Sequence, residues 1–124
     1  MNESQHQGLL IEWAKYYKEA QYLFAIPNGT HIRSHQGRAK AKRDGLRSGV
    51  PDLMLPVARH GFNGLFIELK KPKTAKSPAG KASNEQMKWI DDLTNQGYLA
   101  VICVGWEAAK VTIEGYLGEG INES

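Results

Sequence analysis

Leu65-Phe66-Ile67-Glu68-Leu69-Lys70-Lys71 is the stretch on which the fold turns. Successive side chains of a strand point to opposite faces, so Leu65, Ile67 and Leu69 line one face while Phe66, Glu68 and Lys70 line the other. The first face belongs to a hydrophobic core. The second carries an acid and a lysine side by side, roughly 7 Å apart along the backbone. Upstream, residues 52–57 alternate Asp52, Met54 and Pro56 against Leu53, Leu55 and Val57, and Arg59-His60-Gly61-Phe62-Asn63-Gly64 supplies a turn. The two runs form a hairpin in which Asp52 opens the neighbouring strand, within reach of Glu68 across the ladder.

Outward from the hairpin, residues 5–20 read as an amphipathic helix through Leu9, Leu10, Trp13, Ala14, Tyr17 and Ala20, with Asn2 or Ser4 to cap it. Residues 23–26 form a short strand ended by Pro27-Asn28-Gly29. Residues 36–47, rich in Ala, Lys and Arg, suit a partly exposed helix or an ordered loop. After the hairpin, residues 72–82 hold two prolines and almost nothing apolar, and are expected to be a mobile, basic loop facing substrate. Ser83 with Gln86 three residues on is a capping box that opens a helix through Met87, Ile90, Leu93 and Thr94 until Gly97 stops it. Residues 98–104, apolar and β-branched, predict a strand covered on both faces, and residues 106–116 a last helix. The order gives an α/β fold, one domain over residues 1–124, with a mixed central sheet flanked by helices and no internal repeat.

With 124 residues, 41% of them hydrophobic and 23% charged, the chain has material for one core and is not disordered by composition. No apolar run approaches the ~20 residues of a membrane-spanning helix, and residues 1–7 are polar rather than signal-like, so a cytoplasmic protein without membrane contact is expected. The single cysteine, Cys103, rules out an intramolecular disulfide and sits where a buried thiol would. A net charge of +3 says little, but its distribution says more. Arg33, Arg38, Lys40, Lys42, Arg43 and Arg47 face one acid, Asp44, and a second basic group includes Lys70, Lys71, Lys73, Lys76 and Lys81. Such a segment is either a solvated face or a surface that neutralises backbone phosphates.

Phosphodiester hydrolysis calls for a divalent cation, and hard cations take carboxylate and carbonyl oxygens. Asp52 and Glu68 offer two carboxylates, and Lys70 beside them can stabilise developing charge or orient the attacking water. Taken alone, a Glu-x-Lys pair on a strand reads as a solvated ion pair and Asp52 as a residue after a turn. The order of the surrounding motifs singles them out. Glu3, Gln7 and Trp13 pattern the first helix; Ile26-Pro27-Asn28-Gly29, Gly49-Val50-Pro51-Asp52-Leu53 and Phe66-Ile67-Glu68-Leu69-Lys70 follow. Ser83-x-Glu85-Gln86-x-x-Trp89-Ile90 and Gly97-Tyr98 complete the set.

This ordered set resembles the VRR-NUC family of the PD-(D/E)xK nuclease superfamily, in particular its small stand-alone phage-type members. The resemblance implies a restriction-endonuclease-like fold and Mg²⁺ or Mn²⁺ bound by Asp52, Glu68 and the Leu69 carbonyl, with no small-molecule cofactor. Glu3 is a further metal candidate, or else a first-turn acid favoured by the helix dipole. Lys70 is the implied catalytic lysine, and Gln86 is either a site residue or only the capping partner of Ser83. Arg33, Arg38, Lys40, Lys42, Arg43, Arg47, Lys71 and Lys73 would grip DNA, branched or duplex. Stand-alone members look like homodimers acting on four-way junctions, and two sites related by a two-fold axis would match two strands cut across such a junction. The rival readings are a nuclease for flaps or linear duplex, and a DNA-binding module of the same fold that does not cut.

His31 and His35 lack a cysteine and a helical pattern between them, so a structural zinc site is not expected and the segment reads as a phosphate-contacting loop. No zinc-finger, RNA-recognition or helix-turn-helix signature is present. Trp13, Tyr16, Tyr17, Tyr22 and Phe24 are read as packing residues rather than base-stacking platforms.

Overall fold

The computed structural model describes residues 1–29 and 32–118. In chain order these form α1 (Glu3–Ala14), a 3-10 turn (Lys18–Tyr22), β1 (Phe24–Ala25), α2 (His35–Arg43), β2 (Leu53–Leu55), β3 (Leu65–Lys70), α3 (Asn84–Asn95), β4 (Leu99–Val104) and α4 (Trp106–Leu117). The sheet runs β1-β2-β3-β4, antiparallel through β3 and parallel between β3 and β4. The α/β fold and the mixed sheet flanked by helices are as expected.

β3 is the centre of the molecule because both its faces are covered. Leu65, Ile67 and Leu69 join Leu10 and Ala14 of α1 and Ile113 and Tyr116 of α4 in the main core. Phe66, Glu68 and Lys70 line the other face, where Tyr98 packs on Phe66, Gln86 of α3 holds Glu68 and Gly80 lies over Lys70. The charged face is therefore not solvated: all six β3 residues are buried. Pairing Leu53 with Ile67 fixes the hairpin register. Pro56 ends β2 after three residues, and Val57, expected in the strand, turns back on Leu55. Across the fold, the Tyr116 hydroxyl donates to the Val57 carbonyl at 2.6 Å, tying α4 to the end of the hairpin's first arm.

Other expectations change as well. The first helix stops at Ala14 instead of Ala20: the Tyr16 and Tyr17 N–H groups bond only three residues back, and the backbone then leaves helical geometry at Tyr17 (φ −118°, ψ 97°) and Lys18 (φ 47°). The 3-10 turn that follows carries Ala20 and then Leu23 into the core. The aromatic spacing therefore breaks: Trp13 and Tyr17 stack on one another and pack on the core, whereas Tyr16 is 83% exposed and Tyr22 and Phe24 also face solvent. Finally, β4 is a rim strand rather than one covered on both faces, and Ile102 and Val104 are exposed.

The expected capping box at α3 forms, and Asn2, one of the two caps offered for the first helix, makes a second one with Gln5. Asn2 accepts from the Gln5 N–H and Gln5 accepts from the Asn2 N–H, each at 2.8 Å, and Ser83 and Gln86 do the same at the start of α3. α4 begins at Gly105, which has no side chain to cap it; buried His6 of α1 does so, its Nδ1 accepting from the Trp106 N–H at 3.1 Å. α2 is capped by Ser34 and buries no residue at all.

Candidate active site

Asp52 immediately precedes β2, where the Ile26 N–H bonds its carbonyl and holds β1 alongside. Its carboxylate turns toward β3 and accepts the Leu69 N–H at 2.8 Å through Oδ2. The N–H and C=O of one strand residue point to the same side, so the Leu69 carbonyl faces the edge that Asp52 occupies. A cleft of about 480 Å³ opens there, lined by Asp52 and Leu69 together with Glu3, Ser4 and Gln7 of α1 and the run from Ala25 to Asn28.

Glu68 is 1% exposed, and each of its oxygens has a distinct environment. Oε2 accepts from the Lys70 ammonium at 3.1 Å and from the Gln86 side-chain N–H at 3.0 Å. Oε1 is buried without a hydrogen-bond partner. Burial, and next the neighbouring charge of Asp52, push the Glu68 carboxyl up to about 7, against the opposing pull of Lys70. Two carboxylates forced together, one with an orphaned buried oxygen, form a donor set that a bound cation would relieve. A hard divalent cation fits this donor set: two carboxylates and one carbonyl leave room for the waters that Mg²⁺ retains. Among the described residues, no three acids, histidines or cysteines gather as a metal-holding group, so a site built wholly from side chains, as for structural zinc, is not formed.

Lys70 is 7% exposed, and the loop after β3 keeps it so. A Cβ on Gly80 would lie 3.3 Å from the Lys70 Cδ and 3.2 Å from a Glu3 carboxylate oxygen, so the glycine is a close-approach point over both. The expected mobile loop is tied to itself: the Lys71 ammonium bonds the Ser77 hydroxyl and the Pro78 carbonyl, Thr74 closes a turn on Ser77, and the Gly80 N–H reaches the Lys71 carbonyl.

The structure brings together Asp52, Glu68, Leu69, Lys70 and Gln86; of these, Asp52 and Leu69 line the cleft with Glu3. Gln86 caps α3 through Oε1 and at the same time donates to Glu68 through Nε2. The basic residues divide. Lys71 is taken up inside its loop, Arg38 bonds the carbonyls of Ile32 and Arg33, and Lys40 pairs with Asp44 at 2.6 Å. Arg47 lies over the ring of Trp89. Arg33, Lys42, Arg43 and Lys73 have no partner among the described residues and stay exposed. His31 lies outside those residues. Gly80, His6 and Trp89 carry roles that the sequence reading did not assign; only Trp89, one turn after Gln86, left a signal there.

The family model for the VRR-NUC domain matches residues 1–106, from α1 through β4. The chain belongs to the VRR-NUC family. That is a nuclease family, and a nuclease domain of this kind has DNA as its substrate class. A solved structure of a VRR-NUC domain protein is 29% identical, with a TM-score of 0.80 over 97% of this chain and 91% of that chain. No curated protein matches the sequence. The VRR-NUC match spans every residue of the cleft described above, while all but the first residue of α4 lies beyond it.

Proposed function

We propose that this VRR-NUC domain is a Mg²⁺- or Mn²⁺-dependent DNA endonuclease, acting as a homodimer on branched DNA such as four-way junctions. The observation that carries the chemistry is the buried Glu68 carboxylate, crowded by Asp52 and held by Lys70 and Gln86 with one oxygen left unpaired. Asp52, Glu68 and the Leu69 carbonyl would hold the ion. When bound, it would supply charge neutralisation at the phosphate and a more acidic water.

The chain's own groups do the rest. Gln86 and Lys70 keep Glu68 Oε2 engaged, which leaves Oε1 as the oxygen free to ligate. The Lys70 ammonium, fixed at 3.1 Å from Glu68 and shielded by Gly80, is a preorganised positive charge for an anion developing on the phosphate. Arg33, Lys42, Arg43 and Lys73 are the cations left available to backbone phosphates. Branched DNA and the dimer rest on the family resemblance; a two-fold pair of sites matches paired cuts across a junction.

The test is cleavage of a labelled four-way junction, a flap and a plain duplex by wild type and Lys70→Ala, each with Mg²⁺, Mn²⁺ or EDTA. Metal-dependent paired nicks on the junction, lost in the variant, are expected. Equal cutting of all three substrates would overturn junction preference. Binding without cutting in either metal would replace the enzyme by a DNA-binding module.

A further inference from the structure

The two carboxylates reach the site from different parts of the chain, Glu68 from the middle of β3 and Asp52 from the segment that leads into β2. Their separation is set by whatever both segments are fastened to. α3 touches each. Gln86 holds Glu68 Oε2 at 3.0 Å. One turn along the same helix, the Trp89 indole N–H donates to the Ser48 carbonyl at 3.1 Å, and the Arg47 guanidinium lies 5.2 Å from the centre of the Trp89 ring. Between these contacts Gly49, at φ +86°, lies flat on the helix: a Cβ there would come 2.6 Å from the Glu85 Cγ and 3.1 Å from the Trp89 Cδ1. Only Val50 and the buried Pro51 separate this clamp from Asp52. Proline fixes its own backbone angle and restricts the residue before it, so the short link transmits position rather than absorbing it.

We infer that Trp89 is a positioning residue. With Gln86 it makes α3 the template that fixes Asp52 against Glu68, and so sets the affinity of the site for its divalent ion. The inference rests on the metal reading given above. Groups that orient ligands of an ion without touching it commonly change its affinity by about tenfold or more when removed.

The experiment is calorimetric titration of Mn²⁺ into the metal-free full chain, for wild type, Trp89→Phe, Gly49→Ala, Lys88→Ala and Asp52→Ala, with melting curves for each. Trp89→Phe keeps an aromatic ring under Arg47 but loses the indole N–H together with part of the ring that meets Gly49; Gly49→Ala pushes the same segment off the helix. Both are expected to fold and to bind Mn²⁺ about tenfold more weakly. Half-saturating Mn²⁺ for cleavage should shift by the same factor, with kcat at saturating metal and KM for DNA near wild type. Lys88→Ala, which loses only an exposed pair with Asp92, should titrate as wild type. A folded Trp89→Phe protein with wild-type Mn²⁺ affinity, or with kcat lowered equally at every metal concentration, overturns the inference. Wild type that takes up no Mn²⁺, or Asp52→Ala that binds as wild type does, overturns the metal reading beneath it.

Discussion

Replacing Glu68 by Gln should abolish cleavage and stabilise the metal-free protein above neutral pH. In the folded chain the Glu68 carboxyl titrates at about 7 instead of its ordinary 4.5, chiefly through burial and then through the charge of Asp52. Between those values the native state holds a proton that the unfolded chain has released, so stability is full below the lower value and falls as pH rises through the upper one. A shift of that size corresponds to about 3 kcal/mol, of which about 2 to 3 kcal/mol lies between pH 5 and pH 8. Glutamine has no charge to desolvate, so its curve lacks that decline. The assay is urea unfolding in EDTA at pH 5, 6, 7 and 8 for both proteins, and the wild-type curve minus the variant's isolates Glu68 from every other titrating group. Curves that stay parallel across the range would refute the reasoning.

Gly80→Val puts side-chain atoms against Lys70 and Glu3, and should lower kcat about tenfold while DNA affinity and melting temperature change little; steady-state kinetics with a binding titration checks it. Tyr116→Phe strands the buried Val57 carbonyl and should cost about 1 to 2 kcal/mol in urea unfolding, with specific activity intact below the transition. Changing Lys42 and Arg43 together to Ala should flatten the plot of log binding constant against log salt by about 2, close to one counterion per lost phosphate contact; an unchanged slope would remove α2 from the DNA surface.

Most of the fold was legible because periodicity and punctuation agree along much of the chain. The alternation around Glu68, the capping box at Ser83 and the stop at Gly97 each admit one local structure, and each formed. The errors fell where a single residue overrides a pattern. Nothing in the sequence marks Tyr17 as extended or Lys18 as left-handed, and the chain that follows this break leaves Tyr16 and Tyr22, read as packing residues, facing solvent. β4 is apolar enough for a central strand, but burial depends on its place in the sheet, and order β1-β2-β3-β4 leaves it at the rim. Asp52, Glu68 and Lys70 were legible as a group because hairpin register alone brings them together. The Gly80 loop and the His6 cap were not, since each depends on a contact between segments far apart in sequence, Gly80 with Glu3 and His6 with Trp106.

The burial of Glu68 also bears on why the site is built into the sheet instead of a loop. An ionised carboxylate at 1% exposure with an unpaired oxygen works against folding, and it persists only where the surroundings leave it no other position. β3 meets that condition: its inner face is locked into the core by Leu65, Ile67 and Leu69, and its outer face is gripped by Gln86 of α3. A strand one residue out of register would exchange Glu68 for Ile67 at that position and put charge into the core, so the hydrophobic pattern that folds the domain is also what aims the acid. A divalent ion bound at Asp52 and Glu68 would turn their mutual repulsion into attraction. The destabilisation of the metal-free state and the affinity for the ion then come from one arrangement, and Gln at position 68 should remove both together.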